Sequence, residues 1–289
     1  MNIAVASGKG GTGKTTIALS LARYIAHNGS RVAALDCDVE EPNVNLFLGA
    51  AIERTERASV PVPSVDPAAC TGCGACERIC AFSAIVLINE RPLVLPDMCH
   101  SCGGCALVCP TAAITEVPKE IGDIEYGSRN GIDYAGGRLA IGGHLSPPLI
   151  NQVKRAYGSY DVRILDCPPG TSCPVIEAAR GADYLVLVTE PTPFGLNDLM
   201  LAVDMVRAMG LPFGVVINRD GMGNADLERW CGVNDVRIVA RVPFDRRIAE
   251  EYSRGDCASR IIECYGEQIA LVAAAIAPAA NHDRGTHAG

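Results

Sequence analysis

The chain has 289 residues, 48% hydrophobic and 20% charged, with a formal charge of −8. That composition excludes a chain disordered throughout and leaves room for one large domain or two smaller ones. Only four of its 25 basic residues are lysine (9, 14, 119 and 154) and no basic cluster exists, which argues against nucleic acid or an anionic membrane as partner.

In chain order, Asn2 to Ala6 is a short apolar run expected as a strand, Ser7 to Gly13 is almost all small residues, and Lys14 to Ala26 has helical periodicity closed by Asn28-Gly29. A second strand, Arg31 to Leu35, completes a strand–helix–strand unit, so the sheet is expected to be parallel. From Val60 the sequence turns Pro- and Cys-rich. Cys70-Thr-Gly-Cys73-Gly-Ala-Cys76-Glu-Arg-Ile-Cys80 recurs as Cys99-His-Ser-Cys102-Gly-Gly-Cys105-Ala-Leu-Val-Cys109, and Ala84-Ile85 recurs as Ala113-Ile114. A hairpin of Ala84 to Asn89 with Pro92 to Leu95 is expected to join the two halves.

The alternation then resumes. Val162 to Leu165, Tyr184 to Val188, Phe213 to Ile217 and Val236 to Ala240 are expected strands, Leu196 to Met209 a helix, and Pro174 stands near the start of another. The fold class is α/β: residues 1–60 and 118–289 form one domain, interrupted by a small α+β domain at 61–117 with local two-fold pseudosymmetry. The residues from His282 are expected to be a frayed tail. The longest uncharged apolar run, Ile269 to Ala280, is 12 residues with a proline, too short to span a bilayer. The opening Met1-Asn2-Ile3-Ala4-Val5 carries no basic stretch, so the expected compartment is the cytoplasm. Fourteen cysteines in a reducing compartment point to metal or redox chemistry, not disulfides.

Gly8-Lys9-Gly10-Gly11-Thr12-Gly13-Lys14-Thr15-Thr16 lies between the first strand and the first helix. Glycines there let backbone N–H groups curl around phosphate oxygens at a helix N-terminus. Lys14 would reach the β- and γ-phosphates and the Thr15 hydroxyl would ligate magnesium. A glycine-rich turn without a ligand is the competing reading.

The extra lysine, Lys9, makes this loop resemble the deviant Walker A motif of the MinD/ParA/Mrp and nitrogenase iron-protein group of P-loop ATPases. The resemblance implies that Lys9 reaches across a dimer interface to the partner's nucleotide. Asp36-Cys37-Asp38-Val39-Glu40-Glu41-Pro42-Asn43 is similar to the group's switch I, with Asp38 positioning the attacking water. Val162 to Asp166 resembles a Walker B strand whose Asp166 holds the magnesium shell. Gly170, in Asp-Cys-Pro-Pro-Gly, would offer its N–H to the γ-phosphate as switch II, and Asn218 matches the adenine-contacting asparagine. Catalysis is thereby expected from Lys9, Lys14, Asp38 and Asp166.

Cys-x2-Cys-x2-Cys-x3-Cys, twice, resembles the bacterial dicluster ferredoxin pattern, in which each motif's fourth cysteine serves the other cluster. Cys70, Cys73, Cys76 and Cys109 would hold one 4Fe-4S cluster, and Cys99, Cys102, Cys105 and Cys80 the other. Cys109 carries the expected following proline, whereas Cys80 is followed by Ala81. Zinc is the competing occupant. Cys231, Cys257 and Cys264 read as structural thiols. Cys37, Cys167 and Cys173 border the switches. Cys173 reads either as packing at a helix start or, by resemblance to the nitrogenase iron protein, as a ligand shared across a dimer axis, where the helix dipole favours thiolate.

The whole chain resembles MinD-superfamily ATPases with an inserted dicluster ferredoxin domain. The resemblance implies ATP, magnesium and two 4Fe-4S clusters in a homodimer, or a heterodimer with a similar ATPase. The leading expectation is ATP-gated electron transfer to a partner protein. The alternative is an iron–sulfur or metal–sulfur cluster assembly carrier of the Mrp type, which hands clusters to an acceptor. A MinD-type positioning ATPase would carry a basic amphipathic C-terminal helix, but Gln268 to Ala280 is uncharged and Ala-rich. Neither nucleic acid nor integral membrane association is expected.

Overall fold

The structure, a computed structural model, describes residues 1–248, 250 and 257–277. The Cys257 side chain and the tail from His282 lie outside the described residues. Two compact units share the chain: the first comprises Met1–Glu56, Ile124–Arg138 and Ile150–Gly289, the second Arg57–Asp123 and Leu139–Leu149.

In the first unit β1 (Asn2–Ala6) leads through the glycine-rich loop into α1 (Lys14–His27) and β2 (Val32–Asp36). After α2 (Val44–Leu48), the long strands β3 (Ala51–Val65) and β6 (Ile114–Arg129) bracket the cysteine-rich segment, and β7 (Ile132–Leu139) and α5 (Ser146–Arg155) follow. The chain then alternates through β8 (Val162–Asp166), α6 (Cys173–Ala179), β9 (Tyr184–Thr189), α7 (Pro193–Met209), β10 (Phe213–Asp220), α8 (Asp226–Val233), β11 (Ile238–Pro243) and α9 (Cys257–Ile276). The strand order is β11-β10-β9-β1-β8-β2-β7-β6-β3.

β1 pairs in parallel with β8 and β9, and β2 with β8 and β7. Every residue of β2 and of β9 is buried, as a parallel sheet covered on both faces requires, so these strands read as continuous apolar runs in the sequence. The register sets Asp36 directly beside Asp166 at the strands' C-terminal ends, the edge where open α/β sheets bind ligands. In the core below, Ile17 and Leu21 of α1 join Ile261, Ile269, Val272 and Ile276 of α9. Ile269, Val272 and Ile276 of the uncharged C-terminal stretch are thus committed to this core. No helix among the described residues is long and apolar enough to cross a membrane.

The second unit holds α3 (Ala75–Ile79), α4 (Gly104–Leu107) and the hairpin of β4 (Ile85–Ile88) with β5 (Arg91–Val94), in the register Ile85 to Val94 and Leu87 to Pro92. Cys76, Ile85 and Ile114 form its small core, against which Leu87, Val94 and Cys105 pack. Its bounds are wider than 61–117, because β3 and β6 extend the segment on either side. Nothing in the sequence reading anticipated β3, β6 or β7.

Candidate functional site

The loop between β1 and α1 enters the helix through Gly13, at φ 88°. A side chain there would crowd Asn218 Nδ2, and the left-handed backbone is one that glycine adopts freely. Asn218 Nδ2 donates to the Thr12 carbonyl at 2.7 Å, bracing the loop from the end of β10. Ser7, Gly10, Gly11, Lys14, Thr16 and Asn218 help line a cleft of about 1240 Å³. Two buried oxygens of this region, Thr12 Oγ1 and Asn43 Oδ1, have no hydrogen-bond partner among the described residues. Buried polar atoms are rarely left so, and phosphate and magnesium-bound water are the partners such a loop takes.

Within the cleft, Lys14 Nζ stands 2.8 Å from Asp166 Oδ1, and Thr15 Oγ1 donates to Asp166 Oδ2 at 2.6 Å. Burial opposes the Lys14 charge, but Asp166, with Asp38 and Asp36 behind it, outweighs burial and raises the lysine above its ordinary value. Asp36, which sequence reasoning gave no role, is the hub of the segment that runs to Val44. Its carboxylate accepts the backbone N–H groups of Asp38 (3.1 Å), Asn43 (2.8 Å) and Val44 (2.9 Å). The signal was available: it ends β2 just as Asp166 ends β8.

Three carboxylates around one cation leave the set short of positive charge, as a magnesium site should be. Burial, reinforced by Asp166, pushes the Asp36 carboxyl well above the usual range. Burial likewise lifts Asp38 to about 6, with Lys14 pulling down and Asp166 pushing up. An acid whose folded pKa is raised contributes stability that is intact below its unfolded value near 4 and lost as pH climbs through the folded value. Asp36→Asn is therefore expected to gain stability on the parent as pH rises from about 4 to about 8. Thermal melts across that range check this, and a constant gap overturns it.

Lys9 is one-third exposed, and its Nζ lies 3.6 Å from Glu190 Oε2. The other oxygen of Glu190 takes Arg219 Nη1 at 2.6 Å. Neither Glu190 nor Arg219 was singled out by sequence, although Glu190 immediately follows β9 and Arg219 follows Asn218. The Gly170 N–H donates to the Ser7 carbonyl at 2.9 Å, so contact with a γ-phosphate would exchange that bond. Cys37 and Cys167 are completely buried, and burial pushes both thiols up, Cys167 to about 12. Cys173, the first residue of α6, is exposed. Cys231 is buried and Cys264 half-buried.

The second unit gathers the repeat cysteines into two sets. Cys70, Cys73, Cys76 and Cys109 line one cavity of about 350 Å³, together with Val65, Leu87 and Ile114. Cys80, Cys99, Cys102 and Cys105 line another of about 400 Å³. Each set mixes three thiols of one motif with the last thiol of the other. No three His, Cys, Asp or Glu side chains among the described residues converge on a single-ion position.

The two halves repeat in detail. The Ala84 N–H donates to Cys80 Sγ and the Ala113 N–H to Cys109 Sγ, both at 3.2 Å. Ala81, standing where the other half has Pro110, leaves this geometry unchanged. Burial works against ionisation of Cys80 and Cys109, yet backbone N–H groups at Cys80, and the Thr111 hydroxyl with backbone N–H groups at Cys109, outweigh it and lower both thiols. In Cys76 and Cys105 burial prevails and the pKa rises. Backbone amides aimed at sulfur fit a thiolate-ligated iron–sulfur group.

A profile of the CobQ/CobB/MinD/ParA nucleotide binding domain matches residues 3–258. The chain belongs to that family. An uncharacterized protein of Methanocaldococcus jannaschii is 32% identical over 92% of this chain and 94% of its own length. An iron-sulfur cluster carrier protein of Pyrococcus horikoshii is 24% identical over 88% of this chain and 77% of its own length. Among solved structures, the septum site-determining protein MinD of Pyrococcus horikoshii complexed with Mg-ADP superposes with a TM-score of 0.58 at 22% identity, covering 98% of this chain and 97% of that one. That likeness shows the fold: an α/β P-loop NTPase with a mostly parallel sheet. Family membership makes the chain a P-loop ATPase with iron–sulfur carrier proteins among its relatives.

Proposed function

We propose that the chain is a nucleotide-switched, dimeric ATPase that carries two 4Fe-4S clusters on an inserted ferredoxin-like domain and passes them, driven by ATP, to an acceptor protein. The observation that carries the reading is the pair of four-thiol cavities attached to a complete P-loop site in one chain. The named relatives favour delivery over electron transfer, because those that match most of this chain are iron-sulfur cluster carrier proteins.

In this reading the loop amides and Lys14 hold the β- and γ-phosphates, and Thr15 and Asp166 hold the magnesium shell. Asp38 orients a water that attacks the γ-phosphorus as the bond to the β-phosphate oxygen breaks, leaving ADP and phosphate. Lys9 leaves Glu190 for the partner's nucleotide. The clusters, when bound, would supply either one-electron chemistry or cargo.

A second reading, ATP-gated electron transfer to a redox partner, is favoured by one specific observation. Each cavity has four thiols from the same unit, so every iron of a cubane would be capped, as suits a resident centre. Anaerobically reconstituted protein, mixed with an apo-ferredoxin with and without MgATP, separates the two. The carrier reading expects iron to move to the acceptor only with MgATP. Clusters that stay in place while their EPR signal shifts with nucleotide would instead establish gating.

A further inference from the structure

The two cysteine motifs match residue for residue, with Cys70-Thr71-Gly72-Cys73 corresponding to Cys99-His100-Ser101-Cys102. The third position of each is left-handed, Gly72 at φ 70° and Ser101 at φ 55°. At position 72 glycine is forced twice over. Besides its backbone conformation, a Cβ there would stand 2.6 Å from the Glu90 carbonyl oxygen in the hairpin turn. The equivalent place in the second motif holds a serine, in a conformation that glycine adopts freely and serine does not.

Ser101 carries a second unfavourable feature. Its hydroxyl oxygen is buried and has no hydrogen-bond partner among the described residues, which a protein interior penalises. The residue lines the cavity of Cys80, Cys99, Cys102 and Cys105, and its own N–H donates to Cys99 Sγ at 3.4 Å. A strained backbone and an orphaned hydroxyl in one residue, facing a set of thiols, are resolved together by a sulfur acceptor inside that cavity.

We propose that the Ser101 hydroxyl donates a hydrogen bond to a sulfur of the cluster held by Cys80, Cys99, Cys102 and Cys105, and thereby raises that cluster's potential. The inference rests on the two-cluster part of the proposed function, which is common to both of its readings. Reduction adds negative charge to the cluster sulfurs, so a donor aimed at them stabilises the reduced state more than the oxidised one. Gly72 has no such donor.

EPR-monitored redox titration of the reconstituted full chain tests this, at one fixed pH because His100 stacks on Phe82 beside the same cavity. Ser101→Gly suits the local backbone and Ser101→Ala keeps the Cβ, so together they separate hydroxyl from loop. Both variants are expected to keep the parent's iron content and to move one of the two potentials negative. The shift should be roughly tenfold in the reduced fraction, or about 59 mV for a one-electron couple, with the other potential unmoved. Two unchanged potentials, two moved potentials, or iron lost from a variant would each overturn the proposal. A parent that binds fewer than two four-iron clusters would instead overturn the reading on which it rests.

Discussion

Lys14→Ala is expected to abolish ATP binding, whereas Lys9→Ala should leave the affinity within about threefold, under ~1 kcal/mol, and abolish nucleotide-dependent dimerisation and hydrolysis. The difference follows from their surroundings. Lys14 is buried against Asp166 with Asp36 and Asp38 near, and in the proposed function it is the cation that holds the phosphates. Lys9 is partly exposed and held only at 3.6 Å by Glu190. Removing Lys14 also leaves three carboxylates without their counter-charge, and loss of one partner of a buried pair costs about 3–5 kcal/mol. Lys14→Arg, which keeps a cation beside Asp166, separates lost phosphate contact from lost fold. Calorimetry of nucleotide binding with light scattering for dimers decides the matter, and equal loss of affinity in both alanine variants would contradict a cross-dimer Lys9.

Cys80→Ser is expected to perturb the cluster of Cys99, Cys102 and Cys105 and to leave that of Cys70, Cys73 and Cys76 intact, although Cys80 is the sequence neighbour of the second group. The converse holds for Cys109→Ser. The cavities dictate this exchange: Cys109 lines the first and Cys80 the second. Both sulfurs sit where backbone amides favour thiolate, so serine, a far poorer anion, should lose most of the ligand field there. Iron analysis with EPR of each variant reads which signal survives. Loss of the neighbouring cluster instead would break the proposed cross-ligation.

Much of this was legible because local rules and tertiary structure agree. The loop of Gly8 to Thr16 can hardly be anything but a strand-to-helix phosphate loop, and the buried strands β2 and β9 announce themselves as unbroken apolar runs. The hairpin was legible too, since Asn89 and Glu90, both at positive φ, mark its turn. What stayed hidden depends on long-range neighbours. β3 carries Pro61 and Pro63 and a run of charged residues from Glu53 to Arg57, which read as loop because prolines are excluded from central strands. Its place at the sheet edge removes that objection, and no local pattern reveals the place. The role of Asp36 needed the register with β8, and the pairing of Lys9 with Glu190 spans 181 positions of sequence.

The prolines of β3 reach further than secondary structure. Strand residues two apart turn their nitrogens to the same side, so Pro61 and Pro63 remove two donors from one border of the outermost strand. A ladder that lacks adjacent donors gives an incoming strand nothing to zip onto, and the charged Glu53, Arg54, Glu56 and Arg57 repel apolar β-segments beside it. Prolines and charges together make β3 a poor template for the strand of another copy.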